Sequence, residues 1–154
     1  PLEKQTVGPV LTAFQAEAGE EAYRNGRNFL SASRKTDAVK AFRESLRISP
    51  DGRYANSGRY LLGITLRESR KYSDAVQVFE TIQKKETDRN VIEEVQYWHG
   101  YSLLKLGDAD GALEIADRAL KYFPVSGSNL LTPNKITHMI IPGSIERLSL
   151  VPIM

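Results

Sequence analysis

Apolar side chains recur along the middle of the chain at the spacing of an α-helix. In one segment they stand at i, i+1, i+4, i+8 and i+10, as Ala38, Val39, Phe42, Leu46 and Ile48. Because an α-helix turns once in about 3.6 residues, these positions share one face. The pattern predicts an amphipathic helix over residues 35–48, and the proline of the turn at 49–52 ends it.

A short motif that begins with tyrosine and ends with glycine recurs at a fixed distance. It stands at Tyr23–Gly26, Tyr60–Gly63 and Tyr97–Gly100, so that each glycine follows the previous one by 37 residues. A second marker keeps the same step, because an alanine follows each glycine by 12 residues, at Ala38, Ala75 and Ala112. Self-similarity at a period of this size is typical of repeat proteins.

Each repeat predicts a pair of helices, A and B, that form a hairpin. The glycines are expected where helix A crosses helix B, the alanines are expected to face them, and Phe42 and Phe79 are expected to fill the space between successive hairpins. The fold class is therefore all-α, an α-solenoid of three helical hairpins that occupies residues 20–124. The predicted repeat boundaries are 20–52, 53–88 and 89–124.

The two ends of the chain do not follow the repeat. We predict that residues 1–19 form an N-terminal segment with a helix whose first turn holds Pro9, where a missing N–H costs nothing. That helix either ends near Gly19 or continues into the first repeat. Branched residues and a Pro-Gly turn favour an extended tail over residues 125–154. The tail is expected either to pack on the array or to be part of a longer protein cut short.

Composition limits the classes of function. The 154 residues are 41% hydrophobic and 26% charged, which fits one globular domain. No apolar run approaches the roughly 20 residues of a membrane-spanning helix, so no membrane insertion is expected. The net charge of +2 is too small to favour nucleic acid through bulk electrostatics. The absence of cysteine removes disulfides and thiolate chemistry.

Candidate catalytic residues are few. The chain has two histidines, His99 and His138. His99 stands beside the packing glycine of the third repeat and is expected to be a buried histidine with a hydrogen-bond partner, whereas His138 lies in the tail without a partner motif. No phosphate-binding loop, metal-ligand spacing or Ser/His/Asp set can be assembled. We therefore expect no catalytic residue, no metal site, no cofactor and no enzyme activity.

The motif resembles the tetratricopeptide repeat, a helical hairpin of 34 residues. In the third unit the consensus residues are Gly100, Leu103, Gly107, Ala112, Ala119 and Pro124. The unit departs from the consensus at His99 and Ala116, and its step is longer than the consensus. A tyrosine-led motif with a lengthened step is similar to repeats of bacterial cell-envelope proteins such as the Tol-Pal coordinator family. The resemblance implies a bacterial periplasm or cell envelope, with the cytoplasm as the alternative.

In a stacked array of such hairpins the A helices line the concave surface. Nine residues are expected to face this groove: Tyr23, Arg27, Leu30, Tyr60, Ile64, Arg67, Tyr97, Tyr101 and Leu104. The three repeat-equivalent tyrosines would form a ladder, and tyrosine is enriched at interfaces because it combines a broad apolar ring with a hydroxyl. Simple packing between repeats is the other interpretation of the ladder.

These features predict a non-enzymatic interaction module, a scaffold or adaptor in a bacterial multiprotein assembly. It would bind a protein or peptide in the tyrosine-lined groove. One alternative is self-association or autoinhibition, with the apolar tail around 145–153 in its own or a neighbour's groove. The other is nucleic-acid binding through an Arg/Lys face over residues 24–59, although acidic residues are interleaved there. The partner itself is not encoded in any recognisable motif.

Overall fold

The computed structural model describes the backbone of residues 3–122 and the side chains of residues 12–121. The predicted tail at 125–154, with His138, lies outside the described residues. Within them the chain forms α-helices and no strand, which confirms the all-α fold class. The helices are α1 (Glu3–Ser31), α2 (Lys35–Ile48), α3 (Ala55–Glu68), α4 (Tyr72–Lys85), α5 (Arg89–Lys105) and α6 (Ala109–Tyr122).

The turns after α1, α3 and α5 share one geometry. Each contains a residue in the left-handed conformation, Ser33, Arg70 or Gly107, with φ of 59°, 59° and 82°. In the first turn the Arg34 N–H donates to the carbonyl of Phe29 and the Ser33 N–H donates to that of Leu30. The other two turns repeat both bonds. This pair of bonds satisfies the last carbonyls of a helix, so the three turns have the same local hydrogen bonding and lie 37 residues apart.

Helix α1 continues through Gly19, which settles the alternative left open by the sequence. It also begins at Glu3, so the prediction that Pro9 lies in its first turn is wrong. The side chains of residues 12–18 are exposed, whereas Gly19 is buried. There the Ser45 hydroxyl of α2 donates a hydrogen bond of 2.7 Å to the Gly19 carbonyl. The missing side chain at Gly19 allows α2 to approach, and the hydrogen bond fixes the approach.

The helices group into two compact units, Pro1–Lys71 with α1 to α3 and Tyr72–Met154 with α4 to α6. In the first unit α2 packs between α1 and α3. The Phe42 ring is fully buried and lies against Gly26 of α1. The expectation that Phe42 fills the space between hairpins is therefore wrong. The bulky ring lies inside the α1–α2 hairpin because Gly26 leaves room for it.

In the second unit α5 packs against both α4 and α6. Its core contains the fully buried Phe79 of α4, Val95 of α5 and Ala112 of α6. Asp88 caps α5 by accepting a hydrogen bond from the Asn90 N–H at 2.9 Å, as an N-cap aspartate does.

Candidate functional site

The predicted groove residues of α1 have different environments. Tyr23 is only 6% exposed. Its ring stacks on Tyr54 at 4.7 Å with an interplanar angle of 2°, and lies 6.0 Å from the Phe42 ring. Tyr23 is therefore a core residue of the first unit, as the packing interpretation of the ladder expects. Arg27 is exposed and Leu30 is half-buried on the same helix.

The predicted groove residues of α3 lie at the surface of the first unit. Tyr60, Ile64 and Arg67 are all half-buried. The Arg67 side chain is 16% exposed, and its guanidinium lies 3.5 Å from the Glu68 carboxylate. The partly exposed surface of α3 therefore includes apolar area from Tyr60 and Ile64 and the guanidinium of Arg67.

The predicted residues of α5 belong to a continuous set of aromatic rings in the second unit. Tyr97 lies 4.7 Å from Trp98, Trp98 lies 5.8 Å from Tyr101, and Tyr101 lies 6.2 Å from Tyr72 at the start of α4. All three contacts are edge-to-face, with interplanar angles of 73°, 82° and 64°. We call these four half-buried residues the aromatic surface. Edge-to-face pairs are favourable because a positive ring edge meets a negative ring face.

Residues next to the aromatic surface pack against its rings and place a positive charge beside it. Tyr97 packs on Ala116 and Ala119 of α6, whose small side chains leave room for its ring. The Lys105 ammonium lies 5.3 Å from the centre of the Tyr101 ring, within the range of a cation–π contact. Leu104 is half-buried on the same helix. The surface therefore offers ordered aromatic area with a cation at one end.

A groove lies on another face of α5, between α4 and α6. It has a volume of about 910 Å³, and its lining includes Gln83 of α4, Gln96 and His99 of α5, and Ile115 of α6. We call it the α4–α6 groove. Gln96 and His99 are 2% and 3% exposed. The Gln83 amide lies 2.8 Å from Nδ1 of His99, whereas Oε1 of Gln96 has no hydrogen-bond partner among the described residues.

His99 is a buried, hydrogen-bonded histidine, as the sequence predicted. Burial, and then the positive charge of Arg118, lower its pKa from 6.5 to about 4. The imidazole is therefore neutral at pH 7. Since the amide nitrogen of Gln83 donates to Nδ1, the ring proton is on Nε2.

Several basic residues of the first unit are paired with acids. Ion pairs join Arg34 to Asp37 at 2.8 Å, Lys35 to Glu68 at 3.0 Å and Arg47 to Glu44 at 2.7 Å. The hydrogen bond from Arg47 holds the pKa of Glu44 below its usual value. Arg59 is buried, and its guanidinium donates to the carbonyl of Pro50 and to the Asn56 side chain. Such exposed pairs are typical of a solvated face.

The described part of the chain lacks two further kinds of site. Its acidic and histidine side chains form no group of three or more that would hold a metal ion. None of its helices combines the length and apolarity needed to cross a membrane.

Several residues at these surfaces were not predicted as site residues from the sequence. Trp98 and Tyr72 complete the aromatic surface, and Gln96 lines the groove. Trp98 was predictable in part, since it follows Tyr97 and precedes Tyr101 by three positions on one helix face. Tyr72 and Gln96 depend on which helices pack together, and no single-helix pattern reveals that.

Comparisons with known proteins identify the repeat. A family model described as tetratricopeptide repeat matches residues 23–90 and again 60–128, which together span more than half of the chain. The solved structure of the TPR domain of Arabidopsis FLU is similar in fold, with a TM-score of 0.58 and 20% sequence identity. The similarity covers 73% of this chain and 99% of that one. No curated protein matches the chain.

These ranges run from the last third of α1 through α6, and their overlap at 60–90 contains most of α3 and all of α4. The identity to the solved domain is low, so that comparison supports the fold alone. The family match agrees with the tyrosine–glycine and alanine markers and with the three equivalent turns. The chain belongs to the tetratricopeptide repeat family.

Proposed function

We propose that the chain is a non-enzymatic interaction module whose aromatic surface binds an apolar or aromatic segment of a partner protein. Tetratricopeptide repeats generally mediate protein–protein interaction and scaffolding, and the proposal assigns that role to Tyr72, Tyr97, Trp98 and Tyr101. The observation that carries it is the run of four half-buried rings in consecutive edge-to-face contact.

Ordered rings favour binding for an entropic reason. Side chains that become immobilised in an interface lose rotamer freedom, at a cost of about 0.5–1.5 kcal/mol each. Rings that are already held by their neighbours lose less. Tyrosine and tryptophan are also the residues most often found at the energetic centre of an interface.

The proposal revises the tyrosine ladder. Tyr97, Tyr101 and Leu104 keep their proposed role on α5, and Tyr60, Ile64 and Arg67 stay a separate prediction for the surface of the first unit. Arg27 and Leu30 remain on the accessible part of α1. Tyr23 loses its role because its ring is buried against Tyr54 and Phe42.

The setting is a scaffold or adaptor in a bacterial multiprotein assembly, in the cell envelope. This part of the proposal rests only on the resemblance of the repeat motif. The alternative in which residues 145–153 fill a groove concerns residues outside the described part. Light scattering over a wide concentration range tests it, since self-association through the tail would raise the apparent mass with concentration.

The binding test starts from peptides selected on the full chain from a displayed random library. Their affinity is then measured by fluorescence anisotropy for Trp98→Ala and Tyr101→Ala. Truncation of an interface anchor costs about 2 kcal/mol, or roughly 30-fold in Kd. Leu113→Ala is the matched control, because Leu113 is a 41% exposed apolar residue on α6 of the same unit, outside the aromatic surface.

We expect both aromatic variants to weaken binding at least about tenfold while the control is unchanged. Circular dichroism of each variant separates lost binding from lost folding. Selected peptides that bind folded Trp98→Ala and Tyr101→Ala as tightly as the wild type would show that the aromatic surface is not the site.

A further inference from the structure

The α4–α6 groove is lined by a buried polar atom that the described residues leave without a hydrogen bond. Oε1 of Gln96 has no hydrogen-bond partner among the described residues, although Gln96 is only 2% exposed. The nearby Gln83 provides a contrast, since its amide is bonded to His99. Buried acceptors in native proteins are nearly always paired, so this atom is a position at which a donor from beyond the described residues can bind.

The groove has the length of an extended peptide. Its lining on α5 runs from Arg89 to Leu103, which at 1.5 Å per residue is about 21 Å. An extended chain advances about 3.3 Å per residue, so this length fits roughly six or seven residues. A small polar ligand would leave most of the groove unfilled.

The walls of the groove combine apolar side chains with charged groups of both signs. Ile92 and Leu103 of α5 and Ile115 of α6 are apolar, and the polar Gln96 and His99 stand between the two apolar residues of α5. Charges of both signs surround them, with Lys84 and Arg118 against Glu80 and Glu114. A site with both signs favours a peptide with both signs over a polyanion such as nucleic acid.

We propose that the α4–α6 groove binds a short extended peptide segment of a partner protein, with a main-chain N–H of the peptide donating to Oε1 of Gln96. Successive residues of an α-helix are rotated by about 100° around its axis. On α5, the mean direction of the groove-lining residues is therefore about 160° from that of the aromatic-surface residues. The two surfaces are therefore on opposite faces of α5. The groove is a second site, independent of the proposed function.

The test uses a displayed library of random seven-residue peptides, selected on the full wild-type chain. Trp98 is the only tryptophan in the chain, and it lies on the aromatic surface. Peptides that bind without changing its emission are the groove candidates. Each candidate is titrated against Gln96→Leu, which keeps the approximate size of the side chain and removes the acceptor.

We expect at least one candidate to bind Gln96→Leu about tenfold more weakly than the wild type. In that peptide, N-methylation of one main-chain nitrogen should weaken binding to the wild type about tenfold and leave binding to Gln96→Leu unchanged. This cycle isolates the single hydrogen bond. Ile92→Ala should also weaken binding of the peptide. If Gln96→Leu does not fold, Ile92→Ala is used as the test variant in its place.

Leu120→Ala is the control, because Leu120 is 40% exposed on α6 and does not line the groove. The proposal is overturned if no candidate is selected, or if every candidate binds the folded Gln96→Leu and Ile92→Ala variants as tightly as the wild type. Loss of binding through the aromatic surface would leave these measurements unaffected, so the two sites fail separately.

Discussion

Gly26→Ala tests the packing that brings α1 and α2 together. A methyl group at Gly26 would lie 2.6 and 2.7 Å from two carbons of the Phe42 ring. Phe42 is 0% exposed and its ring lies 6.0 Å from Tyr23, so it has no free side to move toward. Overpacking a core costs about 1–3 kcal/mol, and the closeness of this contact places it at the upper end.

Helix propensity opposes this effect. Alanine is favoured over glycine inside a helix by about 1 kcal/mol. The net expectation for Gly26→Ala is therefore a free energy of unfolding lowered by about 2 kcal/mol. The matched control is Gly58→Ala in α3 of the same unit. A methyl group there would meet Tyr23 at 3.7 Å and Leu46 at 3.8 Å, which are ordinary contacts. Gly58→Ala should raise stability by up to about 1 kcal/mol.

Urea unfolding followed by far-ultraviolet circular dichroism measures both variants. The expected difference between them is about 3 kcal/mol, although the chemical change is the same. Equal free energies of unfolding for Gly26→Ala and Gly58→Ala would refute the claim that the absence of a side chain at Gly26 makes room for the Phe42 ring. A Gly26→Ala variant more stable than the wild type would also refute it.

Three further outcomes follow from single residues. Burial lowers the pKa of His99 to about 4, so as the pH falls the unfolded chain binds a proton at His99 before the folded chain does. His99 should therefore lower the free energy of unfolding by about 3 kcal/mol between pH 6.5 and pH 4. Urea unfolding of His99→Leu at the two pH values should not show this decrease. Gly107→Ala should cost about 1 kcal/mol in thermal unfolding, because its φ is 82° and its side-chain position is open, which leaves backbone strain as the only cause. Lys105→Met should weaken the binding of acidic peptides to the aromatic surface and reduce the salt dependence of their Kd, because the Lys105 ammonium is the cation beside the Tyr101 ring. A salt dependence of Kd that is unchanged in Lys105→Met would exclude that role.

Much of the fold was predictable because small residues mark helix crossings. Gly26 and Ala38 are both buried, at the positions where the repeat step places them. The equivalent turns were only partly predictable. Gly107 indicates a left-handed residue, but Ser33 and Arg70 adopt the same conformation without being glycine. At those two positions the pair of hydrogen bonds that closes each turn outweighs the local preference.

The candidate site was less predictable because equivalent positions have different neighbours. The repeat step makes Tyr23 and Tyr97 equivalent, yet Tyr23 is stacked in a core by Tyr54 while Tyr97 stands beside Trp98 near the surface. The exposed fraction of a ring depends on which side chains the neighbouring helices supply. A repeat pattern gives the register of a residue but leaves its environment open.

The emission of Trp98 tests the central claim most directly, since no other tryptophan contributes to it. Peptides selected on the full chain are titrated into it, and acrylamide quenching is measured at saturation. The account predicts that the peptides weakened by Tyr101→Ala shift the emission to shorter wavelength and protect Trp98 from the quencher, because they cover its half-buried ring. If every selected peptide saturates the chain and leaves both the emission and the quenching of Trp98 unchanged, the aromatic surface is not where this protein binds its partner.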